Sequence, residues 1–345
     1  MARGSVGSSA SVNVEVDGKT VRISNPDKVF FPTRGWTKWE LVHYYLKVAP
    51  AVRRSVVGRP TVLRRMPDGV GGRVFYQKRP PRGAPPWLKT VAATFPSGRR
   101  AQMFCCADLA HLLWAVNAGC VDLHAWASRC SHPDTPDELR LDLDPAPGIG
   151  FEEVKKVAVV CREVLGEAGV ASMPKTSGSR GIHVLARIAP RWSHHQVRRA
   201  GIAAAREVQR RLPSLVTLSW WKEERGRRIF IDYNQNGPDR ALAAAWSVRP
   251  NEEGTVSFPF RWEEIQGIHP GDVTLRTAPA LLQLHGDPMS ELDEVHSDIS
   301  PLLEWAERDA AAGLGDLPWP PNFPKMPGEP PRVQPSRARH PQGPS

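Results

Sequence analysis

Cysteine is scarce here: five in 345 residues, an odd number, with no Cys-x-x-Cys pair. A disulfide framework is therefore not expected. Zinc is disfavoured too, because Cys105, Cys106, His111, Cys120, Cys130 and His132 stand at irregular spacings. Reduced thiols, buried in helices, are the expectation, as suits a cytoplasmic protein. No run approaches the roughly 20 apolar residues of a membrane span. Met1 to Ser11 is polar and small, without the apolar core of a signal peptide. The Gly-x-x-x-x-Gly-Lys pattern of a Walker loop is missing, which excludes that phosphate-binding class. A hydrophobic fraction of 41% still suffices for a globular interior.

Acids are the second deficit, and it is local. Between Ala51 and Cys105 there are twelve basic residues, among them Arg64, Arg65 and Lys78, against one acid, Asp68. The whole chain has a net charge of +10, so this segment holds its entire excess. Phe75, Tyr76, Trp87 and Phe95 are interleaved. A charge run is often only a solvated face, but one this lopsided reads as a polyanion surface. Arginines can neutralise phosphates there and aromatics can stack on bases.

Against that background, Leu139-Arg140-Leu141-Asp142-Leu143-Asp144-Pro145 alternates strictly. The leucines point one way, and Arg140, Asp142 and Asp144 the other, which is the period of a half-buried strand. Asp142 and Asp144 would lie roughly 6.5–7 Å apart along it. Aligned carboxylates suit hard divalent cations, which prefer oxygen ligands. A metal pair about 3.5–4 Å apart is how polymerases activate a hydroxyl and stabilise a departing pyrophosphate.

The remaining periodicities give the frame. Val12 to Ile23 reads as a hairpin around Asp17-Gly18. Thr37 with Glu40 fits a capping box opening a helix through Val48, with Pro50 at its end or in a kink. Ala107–Ala118 is helical and closed by Gly119; Phe151–Ala168 is helical and closed by Gly169. Strands are expected at Ser172–Thr176, Ile182–Ile188 and Arg228–Tyr233, and a helix at Ser193–Leu212. The order implies a mixed α/β or α+β fold. Residues 318–345 hold ten of the 34 prolines and read as a tail or a surface-draped extension. The expected division is an N-terminal extension (1–20), a catalytic domain (21–317) and that basic tail. Within the domain, a basic part covers about 21–135 and a catalytic sheet about 136–270.

Three further pieces follow the two aspartates. Lys175-Thr176-Ser177-Gly178-Ser179-Arg180-Gly181-Ile182-His183 pairs glycines, which let backbone amides approach an anion, with the donors Ser177, Lys175 and His183. Asp232 is an acid in the apolar run Ile229-Phe230-Ile231-Asp232-Tyr233: a third metal carboxylate, or the partner of an arginine. Arg249 follows at Trp246-Ser247-Val248-Arg249-Pro250, able to neutralise a triphosphate or to lie on the surface.

This order of motifs resembles the archaeo-eukaryotic primase superfamily, and within it the polymerase domain of bacterial ligase D, the end-joining polymerase. Ser24-Asn25-Pro26-Asp27-Lys28-Val29, Phe75-Tyr76-Gln77-Lys78, Arg82-Gly83-Ala84-Pro85 and Trp262-Glu263-Glu264 also fit. The resemblance implies a primase-like catalytic core with an RRM-like sheet packed on an N-terminal α/β module. It implies that Asp142, Asp144 and Asp232 bind two divalent ions, Mn²⁺ or Mg²⁺. Ser177, His183 and Arg249 would hold the incoming NTP or dNTP, with Lys175 in the same pocket and His124 near the nucleotide. Lys28 and Lys38 would grip the 5′-phosphate of a gapped or broken DNA duplex, and Arg64, Arg65 and Lys78 would form a DNA-binding patch. Ribonucleotides would be favoured. Ser179 and Arg180 depart from the usual Gly and Lys, so a stiffer loop is expected.

No ligase or phosphoesterase segment is recognisable, so a stand-alone, monomeric, nucleoid-associated polymerase is expected. Ku or a separate ligase remains open as a partner. Three other readings are also open: a non-catalytic DNA-binding module on a primase fold, a de novo primase, and a nucleotide-sugar transferase with an Asp-x-Asp metal site. The basic segment and the Ser-Gly-x-x-Gly-x-His loop disfavour the last.

Overall fold

The computed structural model describes residues 11–320 and Phe323. Two sheets dominate its α+β architecture. One has five strands in the order Met173–Thr176, Ile182–Arg187, Glu138–Pro145, Ile229–Asp232, Val216–Thr217. Its central strand, Glu138–Pro145, is antiparallel to both neighbours. The alternation read from the sequence holds: Leu139, Leu141 and Leu143 are all fully buried. Each contributes about 1.5–3 kcal/mol to holding the strand on the core. The helices Phe151–Glu167 and His194–Arg211 cover this sheet.

The second sheet runs Ala241–Ala243, Cys120–Trp126, Arg59–Arg65, Arg100–Cys106, Thr90–Thr94, with Phe75–Gln77 added beside Arg59–Arg65. Helices Lys38–Lys47, Ala49–Val56 and Leu109–Asn117 lie with it. Its expected signals are present. Thr37 and Glu40 close a reciprocal capping box. Pro50 opens a second short helix rather than kinking the first. Gly119 ends its helix at φ +94°, with Pro67 so close that a Cβ would meet it at 3.1 Å. The hydrophobic core is shared by both sheets, running from Val21 to Leu302.

Several expectations need correcting. Cys105 and Cys130 form a disulfide, so these thiols are not both free; cysteines 25 residues apart meet because the loop after Arg129 returns to the strand Arg100–Cys106. Cys106 and Cys120 are buried in strands, and only Cys161 sits in a helix. The hairpin Ser11–Val16/Lys19–Ser24 crosses the boundary placed at residue 20 and packs on Leu109–Asn117, with Lys19 paired to Asp108. At the other end Trp319 and Phe323 are buried rather than tail-like. Arg198, fully buried, pairs with Asp316, donates to the Leu317 carbonyl at 2.6 Å and stacks 3.8 Å over Trp319. The rest of the expected tail lies outside the described residues.

Candidate active site

Register assembles the site. On the central strand Asp142 faces His183 on one side and Asp232 on the other. Asp144 stands two residues on, half-exposed at the strand end. A cleft of about 320 Å³ is lined by all three aspartates together with Ser177, His183 and Arg249. Segments ninety residues apart in the sequence thus share one surface.

The carboxylates lack adequate counter-charge. Burial pushes Asp142 up to about 6, against the pull of Lys175 and Arg249. Burial and then the charge of Asp142 push Asp232 to about 6. Asp144 is raised by burial and by Asp142, opposed by Arg225, whose Nη1 is 3.5 Å away. The Gln235 amide donates to Asp232 Oδ2 at 2.9 Å and, more weakly, to Asp142 Oδ2 at 3.5 Å. Asp232 Oδ1 caps the following turn through the Asn234 amide, and among the described residues no arginine or lysine is ion-paired with it. Among the described residues the acids are not drawn into a closed metal-ligand cluster. Three crowded oxygen donors with raised pKa values nevertheless fit a hard divalent cation, which would supply the missing positive charge.

The Ser177–Gly181 loop refines its expected role. Ser177 Oγ accepts from the amides of Ser179 and Gly181, so these two donors serve the loop itself. The glycines are needed for close approach. A Cβ on Gly181 would stand 2.2 Å from the Leu143 carbonyl oxygen, and one on Gly178, at φ +67°, 2.4 Å from Arg249 Cγ.

Lys175 is corrected. It is buried and does not line the cleft; its ammonium lies 2.6 Å from His183 Nδ1 and donates to Ser257 Oγ at 2.7 Å. Burial drives its pKa down. Burial, Lys175 and Arg249 likewise keep His183 well below the usual imidazole range. Neutral His183 places Nε2 3.2 Å from Asp142 Oδ1. Lys175 reaches the site only through that imidazole.

The other expected binders are dispersed. Lys28 is paired with Asp68, and Lys38 donates to the Ser24 carbonyl at 2.6 Å, its pKa lowered to about 8 by burial and by Lys28. The two are neighbours through the Lys38 N–Lys28 O bond, but neither lines the cleft. Arg64 is paired with Asp122, Arg65 with the Ala118 carbonyl and Gln77, and Lys78 with Asp239. His124 sits 2.8 Å from Asp122 and 3.4 Å from Arg249. Much of the basic run is therefore neutralised internally. Arg73, Arg79, Arg82, Lys89, Arg99 and Arg100 remain exposed. Tyr76, 72% exposed, shares a second groove with Lys78, Arg79, Phe95 and Arg99.

Sequence reasoning missed Arg225, Trp220 and Lys222, which line the cleft beside Asp144. The signal was present as Trp220-Trp221-Lys222 just before the Asp232 strand. Arg225 is held 3.7 Å over the Phe230 ring. Asp122 was also missed, although it lies two residues from His124.

A family model described as the LigD primase-polymerase domain matches residues 37–289. The multifunctional non-homologous end joining protein LigD of Mycolicibacterium smegmatis is 29% identical over 275 residues, 79% of this chain and 36% of that protein. Its Mycobacterium tuberculosis counterpart, a DNA repair protein, is 29% identical over 298 residues, 84% of this chain and 37% of that protein. The chain thus spans little more than a third of the length of these relatives. A solved structure of the polymerase domain of Mycobacterium tuberculosis ligase D in complex with DNA superposes with a TM-score of 0.75 at 27% identity, covering 80% of this chain and 99% of that one. The extent of the family match, with the same motifs meeting in one cleft, shows that the chain belongs to the LigD primase-polymerase family.

Proposed function

We propose that the cleft performs template-directed nucleotidyl transfer, extending a 3′-hydroxyl to fill short gaps or lengthen broken ends in DNA repair, with ribonucleotides preferred. The observation that carries this reading is the register Asp142–Asp232, with Asp144 beside it and Ser177, His183 and Arg249 lining the same cleft. Asp142, Asp144 and Asp232 would hold two divalent ions, manganese or magnesium. Bound there, these would lower the pKa of the attacking hydroxyl and stabilise the in-line displacement. The chain's own groups supply the rest. Arg249 offsets triphosphate charge, and Ser177 and His183 Nε2 orient it, so that the reacting atoms are held for attack. Lys28 and Lys38 would contact the downstream 5′-phosphate, and the exposed arginines with Tyr76 the duplex; a Ku-like end binder or a separate ligase are the partners such a reaction calls for.

The test is primer extension on a short-gapped duplex with a downstream 5′-phosphate, in manganese, comparing ribo- with deoxynucleotides and wild type with Asp142→Ala/Asp144→Ala. Extension by wild type alone, stronger with ribonucleotides and with the 5′-phosphate, is the expected result. Tight duplex binding without extension would replace the enzyme reading with a DNA-binding module.

A further inference from the structure

One buried anion behind the cleft has no part in the chemistry above. Asp122 lies in the interior strand Cys120–Trp126 and is fully buried. Its Oδ2 accepts from Arg64 Nη1 at 2.8 Å, faces His124 Nε2 at 2.8 Å and stands 3.7 Å from Arg249 Nη1. Among the described residues its Oδ1 has no hydrogen-bond partner. The imidazole and the two guanidiniums hold it ionised, near 2, despite burial. An ionised carboxylate can only accept, so it fixes the proton of His124 on Nε2. Arg249 is constrained from the other side as well, because its Cγ passes where a Cβ on Gly178 would be. Its stem thus passes the Gly178 turn and its guanidinium reaches toward Asp122.

We infer that Asp122 is a positioning residue for nucleotide binding: its carboxylate sets the direction of the Arg249 guanidinium and the tautomer of His124. It touches no substrate itself. This rests on the reading of Arg249 as a triphosphate ligand, with His124 near the nucleotide. A buried charge that fixes the partners of a ligand acts mainly on affinity, since those contacts form in ground and transition states alike.

The test is single-nucleotide extension of a gapped duplex in manganese with ATP titrated opposite its complementary base, for wild type, Asp122→Asn, Gly178→Ala and Arg249→Ala. Asp122→Asn keeps the side-chain shape and removes the charge. It should raise KM for ATP on the order of ten- to a hundredfold, the range that loss of an orienting partner brings. kcat should stay within about threefold and gapped-duplex affinity should be unchanged. Gly178→Ala should show the same split. An unchanged KM in Asp122→Asn while Arg249→Ala raises it overturns the inference alone, as does a loss confined to kcat or to duplex affinity. An unchanged KM in Arg249→Ala overturns the parent reading together with it. Ring-nitrogen NMR of the wild-type chain gives a readout independent of any variant's folding: His124 should carry its proton on Nε2, and an Nδ1–H tautomer refutes the arrangement.

Discussion

Asp142 and Asp122 occupy comparable places in the two sheets. Each is an aspartate on an interior strand between buried aliphatic side chains, Leu141 and Leu143 in one case and Val121 and Leu123 in the other. Across the strand from Asp142 is Asp232, whereas across from Asp122 is Arg64. The first carboxylate is driven up to about 6 and the second pulled down to about 2. Burial pushes both upward; against it Asp142 has only the pull of Lys175 and Arg249, whereas Asp122 is brought down by the hydrogen bond and charge of His124 together with Arg249 and Arg64. At the cleft the five-stranded sheet gathers negative charge that the described residues do not fully neutralise. The six-stranded sheet consumes its charges in pairs: Arg59 with Asp137 and Glu138, Arg64 with Asp122, Lys78 with Asp239. On the proposed reading one sheet would receive cations, while the other holds its own cations still.

The strongest way to sharpen this contrast is to delete the two aspartates separately. Asp142→Ala should cost about a thousandfold or more in kcat, as for residues acting as one catalytic unit, with the fold intact by circular dichroism. Asp122→Ala should instead act on stability, costing roughly 3–5 kcal/mol in urea unfolding because it strands Arg64 and Arg249 without their anion. Equal loss of stability in both variants would break the comparison.

A pH series probes the same difference. The folded-state pKa of Asp142 is above its unfolded value, so protonation favours the fold. Stability from this group is fully present below about 4 and is lost as pH rises through about 6. In EDTA, Asp142→Asn should therefore gain roughly 2–3 kcal/mol over wild type at pH 7.5 and lose that advantage by pH 4, read from urea midpoints. A pH-independent difference would contradict the crowding of Asp142 and Asp232. The smallest effect belongs to the exposed rim of the basic sheet. Tyr76→Ala should weaken gapped-duplex binding by about 1 kcal/mol, the lower end for one stacked base, with ATP KM unchanged. Fluorescence anisotropy would show it.

Local features were legible in the sequence because they are written within a few residues. The alternation of Leu139 to Asp144, the Thr37–Glu40 box and the glycine stops at 119 and 169 all reappear. The meeting of Asp142, Asp232, Ser177, His183 and Arg249 was legible through motif order, which stands in for register. What escaped depends on partners far along the chain. Arg64 looked like a free DNA contact because Asp122 is 58 residues away. Lys175 looked like a phosphate ligand because its burial against His183 and Ser257 is set by a neighbouring strand and by a segment 82 residues further along the chain. The Cys105–Cys130 bond likewise needs the return of a loop that no periodicity announces.

The contacts of Arg198 carry a practical consequence for anyone trimming this polypeptide. The family match stops at residue 289, yet the helix Ser300–Ala311 packs on His194–Arg211, and the stretch through Trp319 closes over that guanidinium. Asn234, two residues beyond Asp232, donates to the Pro318 carbonyl at 3.1 Å. A fragment cut at 289 would bare a helix face, orphan a buried charge and loosen the turn beside Asp232. The packed unit therefore runs at least through Trp319.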